Sequence, residues 1–132
     1  MQVELVSPER ITYSGEADRV LVRTVGGGDI EFLAGHVPFI GVLQVSSAKV
    51  VDGDDETIFA VHQGFVQVAG DKVTILSDVS EEKSKIDVAR AQAALQRAEA
   101  AIAADSDDAA AVQAKRRAEI RLGVADGSLP AV

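Results

Sequence analysis

Four arginines in the last third of the chain sit at helical spacing. Arg97 follows Arg90 by seven residues, two turns onward on one face, and Arg117 and Arg121 are four apart. If these two segments fold back on each other, four guanidinium groups converge with Glu81 and Asp87 near the open end of a hairpin. The planar fork of arginine matches phosphate oxygens, so the chemistry on offer is the binding of a polyanion such as a nucleotide polyphosphate. The same residues also read as solvated helix faces, with Asp87–Arg90 and Arg116–Glu119 as weak i,i+3 pairs.

Other chemistry is sparse. Gly26-Gly27-Gly28 lacks the lysine and Ser/Thr of a phosphate loop and the spacing of a dinucleotide fingerprint, and reads as a turn between strands. His36 and His62 are the two histidines; neither has a second ligand at metal-binding spacing, so structural roles are expected for both. No serine lies in a nucleophile-elbow context, and the chain has no cysteine, which excludes thiol catalysis, disulfides and Cys-ligated zinc. No catalytic residue and no metal site is assigned; the chain is not expected to be an enzyme.

Charge and hydropathy exclude further classes. A net charge of −8 over 132 residues gives no broad attraction to nucleic-acid phosphates. No apolar run is long enough to span a bilayer, and no basic segment leads into an apolar stretch at the N-terminus. The expectation is a soluble chain without a leader, working where it is made.

The elements that must position the arginines divide near residue 80. All five aromatics and nine of the eleven glycines precede that point, whereas 16 of the 21 alanines follow it. Residues 1–80 alternate in short β-rich runs broken by Ser7-Pro8, Ser14-Gly15, Gly26–Gly28, Ala34-Gly35, Asp52–Asp55 and Gly70-Asp71. This pattern predicts a flattened β sandwich or barrel of about ten short strands. Residues 81–132 predict an antiparallel two-helix hairpin. Val88, Ala91, Leu95, Ala98 and Ile102 form one stripe, and Ala111, Ala114, Ala118, Leu122 and Ala125 a second. Asp78 and Ser80 are N-cap candidates for the first helix, with Glu81 and Glu82 at its positive end. Asp105–Asp108 breaks the two helices, and Gly123 to Gly127 stops the second. The fold class is therefore α+β, mostly β, with a hairpin that buries mainly methyl groups and detaches more easily than the β domain unfolds.

In that setting the chain resembles the epsilon subunit of bacterial F-type ATP synthase. The resemblance is carried by Val6-Ser7-Pro8-Glu9-Arg10, Tyr13-Ser14-Gly15, the stretch Gly28 to Pro38, Gly64-Phe65-Val66-Gln67-Val68, Val73 to Asp78, and Ile86-Asp87-Val88-Ala89-Arg90-Ala91. It implies a noncatalytic subunit of the rotor's central stalk that helps transmit proton-driven rotation. The implied partners are the gamma subunit and the c-subunit ring, met by the β domain, with the loop bearing Asp29, Glu31 and His36 as a contact region. The hairpin is implied to fold against the sandwich or extend toward the alpha/beta catalytic head, where it restrains ATP hydrolysis. Lys115, Arg116, Arg117 and Arg121 would then meet acidic residues of that head.

No cofactor is implied as required, but ATP, with or without magnesium, is an implied regulatory ligand. Ile86, Asp87, Arg90 and Ala91 match the family's Ile/Leu-Asp-x-x-Arg-Ala motif, Arg97, Arg117 and Arg121 its phosphate-binding arginines, and Glu81 its acid near the base. The chain departs from ATP-binding members in its alanines at 89, 100, 101, 103 and 104. The implied location is the cytoplasmic side of the bacterial inner membrane, reached only through the complex. A stand-alone ATP sensor and a β-sandwich adaptor with a helical tail are the competing readings.

Overall fold

Runs of valine, isoleucine and phenylalanine that alternate with polar residues form pleated strands with one apolar face. Residues 1–80 bury that face almost completely. The computed structural model describes residues 1–128; residues 129–132 of the second expected domain lie outside the described part. Eight strands come first: β1 (Gln2–Val6), β2 (Ile11–Glu16), β3 (Arg19–Thr24), β4 (Gly28–Leu33), β5 (Phe39–Leu43), β6 (Ser46–Asp52), β7 (Asp55–Ala69) and β8 (Lys72–Glu82). A 3-10 turn, Lys83–Lys85, leads to α1 (Val88–Ala104) and α2 (Ala109–Asp126).

The strands pair in the order β2-β1-β8-β7-β5-β3-β4, with β6 joining β3 to β7. All pairs are antiparallel except β1 with β8. Since β5 and β6 each pair with both β3 and β7, the pairing closes on itself and leaves no free edge there. Inside lie Val3, Leu5, Val20, Val22, Phe32, Leu43, Val50, Phe59, Val61, Val66, Val73 and Ile75. The mostly-β fold with a helical hairpin is as expected from the sequence. The strands are fewer and longer than expected, because β7 and β8 run for 15 and 11 residues where separate short pieces were anticipated.

One backbone feature explains how β7 stays continuous. Its first half pairs with β6 and its second half with β5, and the change falls at Gln63-Gly64. Gln63 has a positive φ of 32°, and a Cβ on Gly64 would lie 1.9 Å from the Leu76 carbonyl oxygen. Only glycine lets the two backbones approach so closely. Ser77 Oγ lies within hydrogen-bond reach of the His62, Gln63 and Val79 carbonyls and holds the bend.

One helix boundary, the start of α1, differs from expectation. Asp78, Ser80, Glu81 and Glu82 are strand residues, because β7 is long enough to pair β8 as far as Glu82 opposite Phe59. The N-cap of α1 is Asp87, whose carboxylate accepts from the Arg90 backbone N–H at 3.0 Å. Asp108 caps α2 in the same way through the Ala111 N–H, as the Asp105–Asp108 break implied. The stop expected between Gly123 and Gly127 falls at its far end: α2 runs to Asp126 and closes on Gly127 in the left-handed conformation, with φ 76°.

The helices meet on alanine. Ala91 and Ala98 of α1 and Ala111 and Ala118 of α2 are the buried seam, each pair one heptad step apart. The predicted second stripe covers only half of what α2 buries. Ile120 and Val124 on another face pack with Val45 and Ala60 of the sandwich, and with Ile58 and Ile86. The hairpin therefore meets the strands chiefly through α2, while α1 lies outside it.

Candidate functional site: a polar cleft under the hairpin

Docking α2 on the strands holds α1 beside the end of β8, and a cleft of about 610 Å³ opens between them. Its floor is Asp78, Val79, Ser80 and Glu81 of β8; one wall is Asp87, Arg90, Ala91, Ala94 and Arg97. The opposite wall is the β1–β2 turn, with Ser7, Glu9, Arg10 and Thr12, and Lys85 and Arg121 complete it. The volume lies within the range of small-molecule sites.

Six of the eight residues expected to hold a nucleotide line this cleft: Glu81, Asp87, Arg90, Ala91, Arg97 and Arg121. Two do not. Ile86 is packed into the apolar cluster under α2, because it sits between the 3-10 turn and α1 and faces Ile120 and Val124. Arg117 is one turn from Arg121, and a four-residue step adds about 6 Å of rise and about 40° of rotation, which takes it off the cleft wall. Three of the four arginines converge, not four. The proposed i,i+3 pairs are also absent among the described residues: Asp87 is used as a cap, and Arg116 has no carboxylate within ion-pair distance.

The charges in the cleft are unevenly satisfied. Arg121 Nε donates to Glu81 Oε1 at 2.5 Å, and His62 Nε2 lies 3.4 Å from the same oxygen. His62 is 4% exposed, and its ring nitrogens have no partner in hydrogen-bond geometry among the described residues. The His62 ring, followed by Arg121, holds the Glu81 carboxyl down at about 2 despite partial burial, which acts in the opposite direction. Arg10, Arg90 and Arg97 have no ion-pair partner among the described residues. Glu9 and Asp78 are exposed carboxylates in the same lining. Ser80, 4% exposed, presents a buried hydroxyl with no protein partner. The arrangement can neutralise and hydrogen-bond a polyanion; it offers no nucleophile–base pair and, among the described residues, no cluster fit for a metal ion.

The other expected contact residues are scattered. Asp29 pairs with Arg23 at 2.7 Å, and that guanidinium holds its carboxyl below the usual range; Glu31 pairs with Arg19 at 3.2 Å. The His36 ring stands edge-on to Phe32, with ring centroids 4.9 Å apart. Lys115 and Arg117 are half-buried and Arg116 exposed along α2.

Sequence reasoning missed a second surface. Cross-strand neighbours Val42, Phe65, Leu76 and Val6 form an apolar row, extended by Val25, whose N–H donates to Val42 O. Phe65 is 53% exposed and Val25 60%, and the row lines a groove of about 710 Å³. Its signal was present as Phe65 and Leu76, apolar residues in the polar phase of their strands.

A closed β sandwich with a docked helical hairpin and a cleft lined by arginines and carboxylates has the frame of a binding or coupling module. Residues 1–83 match the family described as ATP synthase, Delta/Epsilon chain, beta-sandwich domain. The ATP synthase epsilon chain of Brevibacillus brevis is 44% identical over 100 residues, 75% of each chain. That of Streptomyces griseus is 40% identical over 123 residues, 92% of each chain. The fold is shared with a chain of the Euglena gracilis mitochondrial ATP synthase structure at TM-score 0.67 and 22% identity, over 94% of this chain and 76% of that one. A chain of the Tetrahymena thermophila central stalk and c-ring structure matches at TM-score 0.60 and 12% identity, over 94% and 95%. The chain belongs to the ATP synthase delta/epsilon family. It is an epsilon-type, noncatalytic subunit of F-type ATP synthase.

Proposed function

We propose that this subunit couples rotation in the central stalk and that its hairpin, latched onto the sandwich over bound ATP, regulates hydrolysis. The observation that carries the regulatory half is the cleft itself, whose Arg10, Arg90 and Arg97 stand on two walls with no ion-pair partner among the described residues, one of those walls being carried by the hairpin. ATP bound there would favour the docked hairpin by mass action, since the undocked chain has no such cleft. Magnesium would enter only with the nucleotide's phosphates. Released, the hairpin would carry Lys115, Arg116, Arg117 and Arg121 to the alpha/beta head and restrain hydrolysis.

Coupling needs a fixed surface, and the apolar row from Val25 to Val6 is of the kind a partner covers. We assign it to the gamma subunit, and β4 with Asp29 and Glu31, together with the β4–β5 connection bearing His36, to the c-subunit ring. Bacterial epsilon chains of 36–44% identity support a place on the cytoplasmic side of the inner membrane, held there through the complex. No helix among the described residues is long and apolar enough to cross a membrane.

The test compares ATP hydrolysis by the synthase reassembled with the full chain and with a chain ending at Glu82. Truncation is expected to preserve assembly and raise hydrolysis severalfold, with ATP relieving inhibition only for the full chain. Equal rates overturn the regulatory half, and failure of the truncated chain to assemble overturns the division of roles.

A further inference from the structure

We infer that the β domain supplies a contact of its own to the cleft's ligand, the Arg10 guanidinium to a phosphate group. The inference rests on the reading of the cleft as a nucleotide site.

The placement follows from the parallel pairing of β1 with β8, in which Val6 lies opposite Leu76. The chain leaving β1 therefore runs alongside Asp78, Val79 and Ser80, and its turn stands across the cleft from α1. That turn is rigid where it needs to be. Ser7 N–H donates to Arg10 O at 2.9 Å, Arg10 N–H to Ser7 O at 3.3 Å, and Ser7 Oγ to Arg10 O at 3.2 Å. The backbone of Arg10 is thus fixed while its side chain is exposed and without an ion-pair partner among the described residues. A guanidinium on a preset backbone loses less freedom when it engages phosphate.

Arg90 and Arg97 approach from α1 and Arg10 from the β domain, so one polyphosphate would join the two parts of the molecule directly. Glu9 and Asp78 in the same lining limit the net attraction, which favours a ligand that makes specific hydrogen bonds over a generic anion.

Calorimetric titration of the full chain with ATP tests this, using Arg10→Ala, Arg10→Glu and Arg90→Ala beside the wild type. Arg10→Ala is expected to weaken ATP about five- to tenfold. Arg10→Glu should weaken it further, with the excess shrinking as salt is raised. Thermal midpoints check that the variants fold, which the exposure of Arg10 favours. Wild-type affinity in Arg10→Ala, with Arg90→Ala weakened, overturns this inference and leaves the cleft reading standing. No uptake of millimolar ATP by the wild type overturns both.

Discussion

The two parts of this molecule are held together by different means. The sandwich buries Phe32, Phe59, Leu5 and Ile75 with a row of valines, all essentially inaccessible, and its pairing closes on itself. The hairpin buries four alanines between its helices and touches the sandwich through Ile120, Val124 and one charge cluster. At about 25 cal/mol per Å² of apolar area, methyl groups contribute little each. On the function proposed above the difference is one of purpose: a part that transmits torque must not yield, and a part that switches must be able to leave. Four measurements bear on that contrast.

Phe59→Ala removes a fully buried ring from the sandwich core and is expected to cost about 3–5 kcal/mol, seen as a large drop in the urea midpoint of the β domain. A small drop would mean that the core is less committed than its burial indicates. Ile120→Ala should cost about 2 kcal/mol and act locally. Hydrogen exchange would then rise through α1 and α2 while β7 and β8 keep their protection; loss in both halves at once would dissolve the contrast. Even in the wild type, helix amides are expected to exchange faster than those of β7.

Glu81 sharpens the comparison because it belongs to both parts. Its carboxyl is held at about 2 from an ordinary value of 4.5, first by His62 of the sandwich and then by Arg121 of the hairpin. A depressed carboxylate contributes stability that is present above the unfolded value and lost as pH falls through the folded one. Stability should therefore decline between about pH 4.5 and 2. Glu81→Gln should flatten that decline at a cost of about 1–3 kcal/mol, whereas Arg121→Ala should remove only the hairpin's share. Acid titration of both variants by circular dichroism checks this, and identical profiles would deny the shared role. The smallest effect is expected at Asp29→Asn, an exposed pair with Arg23, where stability should move by about 0.5 kcal/mol or less.

Much of this was legible in the residues. Alternation in residues 1–80 identifies the strands, the Asp105–Asp108 break marks a helix start, and the spacing of Arg90 and Arg97, with Asp87 and Glu81, points to the cleft. The misplacements have a common cause. Asp78 to Glu82 looked like a helix start because caps and early acids are local signals, yet a long neighbouring strand offered them hydrogen bonds over a greater length.

The sequence by itself determined the division into a β domain and an alanine-rich hairpin, since periodicity and composition act over neighbouring residues. Tertiary structure alone decided that β1 lies parallel to β8, and hence that Arg10 faces a cleft built by residues about seventy positions later. It also decided that Ile86 and Arg117 turn away, and that Val25, Val42, Phe65, Leu76 and Val6 align into one surface. Register between distant strands depends on the burial of the whole core, a quantity no local stretch of residues contains.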